Sequence, residues 1–170
     1  MIPVLQNAKA IVERDIGEAL AWAFGGGVPG DVFKRIQFTQ RHSAEYPLLI
    51  IQAATDTPSE LGTGGLLEKH VFDVEIFLTR EISVSSNFAD EVDALAEDLI
   101  RYYDATVMAF LSASASDWTA NFPNGGIDAG KIKVFCTNAV FGQLQQAREV
   151  ASKYLHSVAF ELQVSLIESE

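Results

Sequence analysis

The sequence predicts an α+β fold, a single mixed or antiparallel sheet of about five strands with two main helices packed on one face. Residues 154–167 alternate between apolar and polar side chains, which is typical of a strand with one buried and one wet face. Segments 5–23 and 88–110 repeat apolar residues every three or four positions, as amphipathic helices do. A chain of 170 residues, 48% of them hydrophobic, suits one domain spanning 1–170.

The first half of the chain reads as a helix followed by three strands. The first helix is expected to end at Gly25-Gly26-Gly27, because three glycines do not continue a helix. Segments 33–40 and 48–54 have strand patterns and are expected to form a hairpin. A flexible glycine-rich loop is predicted at about 55–67, and a third strand follows at 69–80.

The second half begins with the longer helix, for which Asn87 is the predicted N-cap. Residues 112–126 are polar and glycine-rich, and are expected to form an irregular connection. A fourth strand is predicted at 131–140. The apolar spacing of 141–153 allows a short helix or a protruding hairpin, so we predict a projecting segment there, before the long strand at 154–167.

The charge of the chain restricts its partners. Its formal net charge of −11 argues against nucleic-acid binding, because affinity for phosphate backbones comes mostly from Lys and Arg. The same acidity suits solubility, or a surface past which DNA slides without sticking. The single Cys136 excludes an internal disulfide, and no run is apolar enough to span a membrane. The start lacks a signal-peptide pattern, so a soluble, cytoplasmic protein is expected.

No residue pattern predicts catalytic, metal or cofactor chemistry, and we expect no enzyme. The three histidines lie on separate elements, and His70 and His156 are expected at strand edges, half exposed to water. Cys136 alternates with apolar neighbours and is expected in the core. The glycine groups lack the Lys-Ser/Thr of a phosphate loop. Asp73 and Glu75 could form a catalytic carboxylate pair, but two acids on a wet strand face are more often solvated.

The order of elements and the acidic character of the chain resemble a known family. Helix, strand pair, glycine-rich loop, strand, acidic helix, strand, projecting segment and long closing strand follow one another over nearly the whole chain. Together with the residue patterns of 69–80, 87–111 and 154–167, this organisation is similar to that of the tail-terminator, or tail-completion, proteins of long-tailed bacteriophages. That family has no short sequence motif, so no functional residue is carried over from it.

The resemblance implies a structural virion protein rather than an enzyme. Such a protein assembles as a ring, typically a hexamer, on the head-proximal end of the tail tube, ends tube polymerisation and joins tail to head. The implied partners are copies of itself, the tail-tube protein and a neck or head-closure protein; DNA passes through without sequence-specific binding, and no membrane is involved. The implied location is the tail or neck of the virion, after assembly in the host cytoplasm. There are two alternatives. One is another neck protein, either a head-closure or an adaptor ring component, and the other is a small-molecule-binding α+β domain.

A ring that closes needs two different patches on each subunit. Apolar residues with no evident core to join are candidates for these patches, namely Leu61, Leu66 and Leu67 in the glycine-rich loop and Phe141 and Leu144 in the projecting segment. Alternatively, both segments fold back and cap the ends of the sheet. Asp73 and Glu75 are the predicted acidic residues facing the lumen, and the polar face of the 154–167 strand is expected to meet the lumen or the next subunit.

Overall fold

The strands and helices follow the predicted order. A computed structural model describes residues 2–26, 32–41, 45–57, 67–83, 85–121, 131–146 and 152–167. The helices are α1 (Ile2–Ala23), α2 (Phe88–Ser112) and α3 (Ala115–Thr119). The strands are β1 (Arg35–Gln37), β2 (Leu48–Thr57), β3 (Leu67–Glu81), β4 (Lys131–Phe141), β5 (Gln145–Gln146) and β6 (Lys153–Ile167).

The described strands form one mixed sheet in the order β1-β2-β3-β6-β4, with β5 also paired to β6. All neighbouring pairs are antiparallel except β1 and β2, which run parallel. The closing strand β6 is an interior strand, because β3 pairs with it on one side and β4 and β5 pair with it on the other. The predicted α+β class, with one sheet and two main helices, is confirmed.

The main core lies between the sheet and the helices. Alternate β3 residues from Phe72 to Leu78 are buried towards α2, and Val158, Phe160 and Leu162 of β6 are buried beside them. Helix α1 packs on α2 and contributes Ile11 and Leu20 among its buried residues. The periods of 2.0 and 3.6 residues that distinguish strands from helices therefore place the apolar set of each element in one shared layer.

The predicted hairpin of the first two strands is wrong, because β1 and β2 run parallel. The first strand is also much shorter than the predicted 33–40 segment. The Gln37 side chain donates hydrogen bonds to the carbonyls of Thr39 (3.1 Å) and Gln40 (2.7 Å), so the chain leaves the sheet directly after β1. The chain returns to the sheet at β2. At the start of the parallel pair, the Lys34 amide donates a hydrogen bond to the Pro47 carbonyl, with N and O 2.9 Å apart.

The structure moves the boundary of the predicted glycine-rich loop. Residues 55–57 belong to β2, with a register shift between Ala53 and Thr55, and β3 already begins at Leu67. Positions 58–66 lie outside the described residues. Of the projecting segment, 141–146 takes the hairpin alternative, because Gln145 and Gln146 pair with β6. Positions 147–151 lie outside the described residues.

Helix α3 replaces part of the predicted irregular connection. Ser114 is its N-cap and accepts a hydrogen bond from the Asp117 amide, while the Asp117 carboxylate accepts one from the Ser114 amide. This reciprocal capping box stabilises a helix too short to show a hydrophobic period. The helix buries Trp118 against Phe110, with ring centroids 6.0 Å apart.

Helix α2 begins at the predicted place by a different contact. Asn87 occupies the N-cap position, but its side chain makes no capping hydrogen bond. The Phe88 amide instead donates to the Ser85 carbonyl (3.1 Å), and the Asn87 amide lies 3.3 Å from the Ser85 hydroxyl oxygen that accepts from it. Asp90 and Glu91 occupy the first turn, where the helix dipole favours negative charge.

Asp117 also joins α3 to α1, and this contact predicts a pH dependence. The Arg14 guanidinium, 2.6 Å from the carboxylate, and the Ser114 backbone hold the pKa of Asp117 well below its usual range. A carboxyl group with a lowered pKa in the folded state stabilises the protein above its unfolded pKa of about 4, and this contribution is lost as the pH falls through the folded pKa.

Asp117→Asn keeps an oxygen that can accept from the Ser114 amide but removes the charge beside Arg14. We therefore expect it to destabilise the protein by up to about 1 kcal/mol at pH 7, the upper end for a partly exposed ion pair. The difference from wild type should shrink as the pH falls below about 4. Urea unfolding at a series of pH values measures it, with Asp93→Asn on the exposed face of α2 as the control. A difference that does not change with pH would contradict the ionic role of Asp117.

Candidate functional site

The sheet has one face covered by helices and one face that no described helix packs against. We call the second the open face; it carries the β3 residues from Val71 to Thr79 that alternate with the buried set. At one end of it Leu48, Ile50, Phe77 and Leu155 form a small apolar cluster beside Tyr46. Most other side chains of the open face are polar, and no described helix covers them, so the open face is available for contact with a partner.

Three carboxylates lie together near the middle of the open face. Asp73 of β3 is paired in register with Gln52 of β2 and with Glu161 of β6. Glu75 lies one step further along β3 on the same face. Glu161 accepts a hydrogen bond of 2.9 Å from Asn138 Nδ2. Two like charges directly opposite each other on neighbouring strands disfavour the folded monomer, so this arrangement is not explained by monomer stability.

The pKa of Glu75 responds to the same surroundings. Partial burial raises it first, the neighbouring Asp73 carboxylate raises it further, and Arg41 opposes the shift. Arg41 lies over the Phe77 ring at 5.3 Å from its centroid and donates to the Tyr46 hydroxyl at 3.2 Å. The open face therefore passes from an acidic region to an apolar cluster that carries a cation.

Large apolar side chains lie exposed along β4, which is an edge strand of the sheet. Phe135 is 50% exposed and Val140 is 64% exposed. A register shift between Thr137 and Val140 inserts one extra residue in β4, and Asn138 there has a φ of 57°. Such a bulge interrupts the free edge, which is one way in which proteins prevent edge strands from pairing with other chains.

The predicted interface residues have different surroundings. Leu61 and Leu66 lie outside the described residues, and Leu67 begins β3 opposite Ile167, with its side chain outside the description. Phe141 ends β4, is 43% exposed and packs edge-to-face on Tyr103 with ring centroids 5.7 Å apart. Leu144 is partly buried and packs against the main core. Leu144 thus takes the folded-back alternative, whereas Phe141 keeps an exposed face for a partner.

Both predicted lumen residues lie on the open face, as the alternation of β3 requires. Asp73 is exposed and Glu75 is half-buried. Glu161 lies beside them and belongs to the polar face of the 154–167 strand, which was expected to meet the lumen or the next subunit. The exposed Phe135 and Val140 were not predicted. The alternation of β6 places Glu161 on the polar side, but only the pairing register brings it opposite Asp73.

The histidines do not gather into a site in the described part of the chain. His70 is buried, with only 3% of it exposed, which corrects the prediction of a half-exposed edge residue. Its Nδ1 lies 2.6 Å from Asp56 Oδ1, and its Nε2 lies 3.3 Å from Glu68 Oε2. Two carboxylates therefore provide the polar contacts that water would provide to a histidine at a sheet edge. His156 is half-buried, with Nε2 2.8 Å from the Gly142 carbonyl oxygen. His42 lies outside the described residues.

Neither a cluster of metal ligands nor a membrane-spanning helix is found among the described residues. Nowhere in those ranges do three or more His, Cys, Asp or Glu side chains come together in a way that could hold a metal ion. Among the same residues, no helix has the length and apolar character needed to cross a bilayer.

Cys136 lies on the helix side of β4 and packs against the core. Burial raises the pKa of its thiol to about 12. The thiolate is the reactive form of cysteine, so we expect iodoacetamide to modify native protein at pH 8 at least about tenfold more slowly than the urea-unfolded chain. Mass spectrometry of timed samples measures both rates. Equal rates would show that Cys136 is accessible and ionisable in the folded protein.

A cavity of about 300 Å³ lies at the Arg80 end of β3. Its lining includes Phe24, Tyr46, Leu78 and Tyr102, together with the charged Lys34, Arg80 and Asp98. Asp98 accepts from Arg80 on one oxygen and from Arg101, at 3.1 Å, on the other. The volume is at the small end for a ligand site, and the Arg80 and Asp98 charges are directed at each other rather than into the cavity.

Comparison of the sequence with models of protein families gives no match. Comparison with characterised proteins gives no match either.

Proposed function

We propose that this chain is a structural virion protein that forms a ring, which is typically a hexamer in the family that the chain resembles. The ring lies on the head-proximal end of a phage tail tube. There it ends tube polymerisation and joins the tail to the head. Its partners are copies of itself, the tail-tube protein and a neck or head-closure protein. The ring belongs to the tail or neck of the virion and is assembled in the host cytoplasm.

The open face is the observation that carries this proposal. A subunit whose described helices all lie on one side of its sheet can direct the other side inward, towards a lumen or a tube end. On that side Asp73, Glu75 and Glu161 present negative charge. A negatively charged lumen repels the phosphate backbone at long range, so DNA can pass without adhering.

The exposed apolar residues support the contacts between subunits. A ring needs two different patches that fit each other, because each subunit meets its neighbours with opposite sides. Phe141 at the end of β4 is a candidate for one patch, and the segment with Leu61, Leu66 and Leu67 is the candidate for the other. Leu144, the other candidate of this segment, packs against the main core.

Electron microscopy of tail tubes grown from purified tube protein tests the proposal directly. Adding this protein should cap one end of each tube with a ring and shorten the tubes as its concentration rises. Phe141→Asp, or Leu66→Asp with Leu67→Asp, should abolish capping. Met108→Asp, which places the same charge on the exposed side of α2, should not. Tubes of unchanged length without rings would contradict the proposal.

A second experiment tests the lumen. Asp73→Lys with Glu75→Lys should slow DNA ejection from assembled particles while leaving assembly intact, because lysines would attract phosphate. Asp93→Lys with Asp104→Lys makes the same change of charge on the exposed side of α2 and should leave ejection unchanged. An unchanged ejection rate in the first variant would remove Asp73 and Glu75 from the lumen.

The same assays separate the alternative neck proteins. A head-closure or adaptor component would bind the head-side vertex and leave the length of the growing tubes unchanged. A small-molecule-binding domain would bind neither the head-side vertex nor the tail tubes.

A further inference from the structure

The open face carries three successive rows of side chains across β3, β6 and β4. The first, which we call the lysine row, is Lys69, Ser165 and Lys133, paired in register. Its two lysines come from the two strands that flank β6. They bring two positive charges to one end of the face in a chain whose formal net charge is −11.

The next row has an apolar side chain on either side of a glutamine, and the third contains two carboxylates. The aromatic row consists of Val71, Gln163 and Phe135, of which Phe135 is half exposed. The acidic row consists of Asp73, Glu161 and Thr137. Residues two apart on a strand are separated by about 7 Å, so the lysine row and the acidic row are about 14 Å apart on either side of the aromatic row.

These charges are not neutralised within the part of the subunit that the structure describes. Among the described residues, neither lysine of the lysine row nor either carboxylate of the acidic row forms an ion pair; Glu161 accepts only the hydrogen bond from Asn138. The distance between the rows is too large for the lysines to reach the carboxylates of their own sheet. Two carboxylates side by side favour a partner that brings positive charge to them.

The order of the rows makes the face complementary to itself. A two-fold axis along the aromatic row reverses the strand direction, so that the lysine row of one copy faces the acidic row of the other. Phe135 of each copy then lies near the axis, where apolar surface is buried from both sides. Sheets pack face to face at about 10 Å, a separation that long lysine side chains can bridge.

We propose that the open face docks on the open face of a second copy of this chain, forming a two-fold dimer in which lysine row meets acidic row. Such an interface is closed, because the same patch is used by both subunits. The dimer stands apart from the proposed ring. It covers Asp73 and Glu161, so the dimer and a ring with these residues at its lumen are alternative states of the same subunit.

Charge reversal tests this arrangement through its symmetry. The first variant, Lys69→Glu with Lys133→Glu, makes both rows negative, and the second variant, Asp73→Lys with Glu161→Lys, makes both rows positive. Each variant alone places like charges opposite each other. When the two variants are mixed, the negative rows of the first face the positive rows of the second at both ends of the interface.

Sedimentation equilibrium over a range of concentrations measures the result. Wild type should form a concentration-dependent dimer that weakens as salt is raised. Each variant alone should bind itself at least about tenfold more weakly, a loss of about 1.4 kcal/mol, and an equimolar mixture should recover dimers. Circular dichroism establishes that each variant is folded. Should either fail to fold, Lys69→Gln with Lys133→Gln replaces it, with weaker dimers expected at low salt.

The outcomes that would overturn the proposal are equally distinct. A wild-type protein that stays monomeric at all concentrations excludes the dimer. A variant that dimerises as tightly as wild type, or a mixture that recovers nothing, excludes the pairing of lysine row with acidic row. Asp93→Lys with Asp104→Lys changes the net charge as the second variant does, but on the exposed side of α2, and should dimerise as wild type. None of these results depends on tail tubes, so they leave the proposed function to its own test.

Discussion

Replacing Phe72 by alanine is expected to lower the free energy of unfolding by about 3–5 kcal/mol. Phe72 is fully buried in β3, between Ala53 of β2 and Leu162 of β6, and faces the helices. Its removal takes an aromatic ring out of the layer that joins sheet and helices, and leaves a cavity that a rigid sheet cannot close. Urea unfolding followed by circular dichroism measures the change.

Phe135→Ala is the matched control, because it makes the same substitution in the same sheet. Phe135 is half exposed on the open face, so its loss should cost less than about 1 kcal/mol at concentrations where the protein is monomeric. Equal effects of the two substitutions would mean that the open face is as well packed as the helix side. That outcome would remove the basis for assigning it to a partner.

Replacing Asn7 by aspartate is expected to destabilise the protein by about 2–4 kcal/mol at pH 7. Asn7 is buried on α1, and its Nδ2 donates a hydrogen bond of 2.6 Å to the Trp118 carbonyl of α3. Its Oδ1 accepts a hydrogen bond from Asn121. The substitution keeps the shape and the acceptor but turns the donor into an oxygen that faces another oxygen.

The cost should depend on pH with a definite sign. Burial beside a carbonyl oxygen favours the neutral acid, so the pKa of the new carboxyl group should be raised in the folded state. The destabilisation should then grow as the pH rises above the unfolded pKa of about 4, and the variant should be closest to wild type at low pH, where the protonated acid can donate to Trp118.

Gln6→Glu provides the control for this prediction. It makes the same change from amide to acid on the neighbouring position of α1, where the side chain is exposed. Urea unfolding at several pH values should show little change for it. If Asn7→Asp behaved like Gln6→Glu, the contact from α1 to Trp118 would not stabilise the fold.

Long helices and strands were predicted well. The two long helices and the long strands β3, β4 and β6 were located within a few residues, because the apolar period repeats several times in each. Helix α3 was missed because five residues show no period. The serine and aspartate of its capping box were present in the sequence as a signal, and reading them would have found the helix.

Pairing could not be read from the same pattern. The parallel arrangement of β1 and β2 depends on the course of the chain between them, where Gln37 turns the backbone out of the sheet. The burial of His70 depends on Asp56, which the register of β2 and β3 brings opposite it. In both cases residues well separated in sequence determine the outcome.

The candidate surface shows the same division. The sequence by itself determined that Asp73 and Glu75 lie on the wet face of a strand and that this face is acidic, because side-chain direction alternates along any strand. Only the tertiary structure decided that Glu161 lies opposite Asp73, that Lys69 and Lys133 flank Ser165, and that Phe135 lies between the two charged rows. The physical reason is that periodicity is a local property of the backbone, whereas the register between strands is set by contacts distributed over the whole sheet.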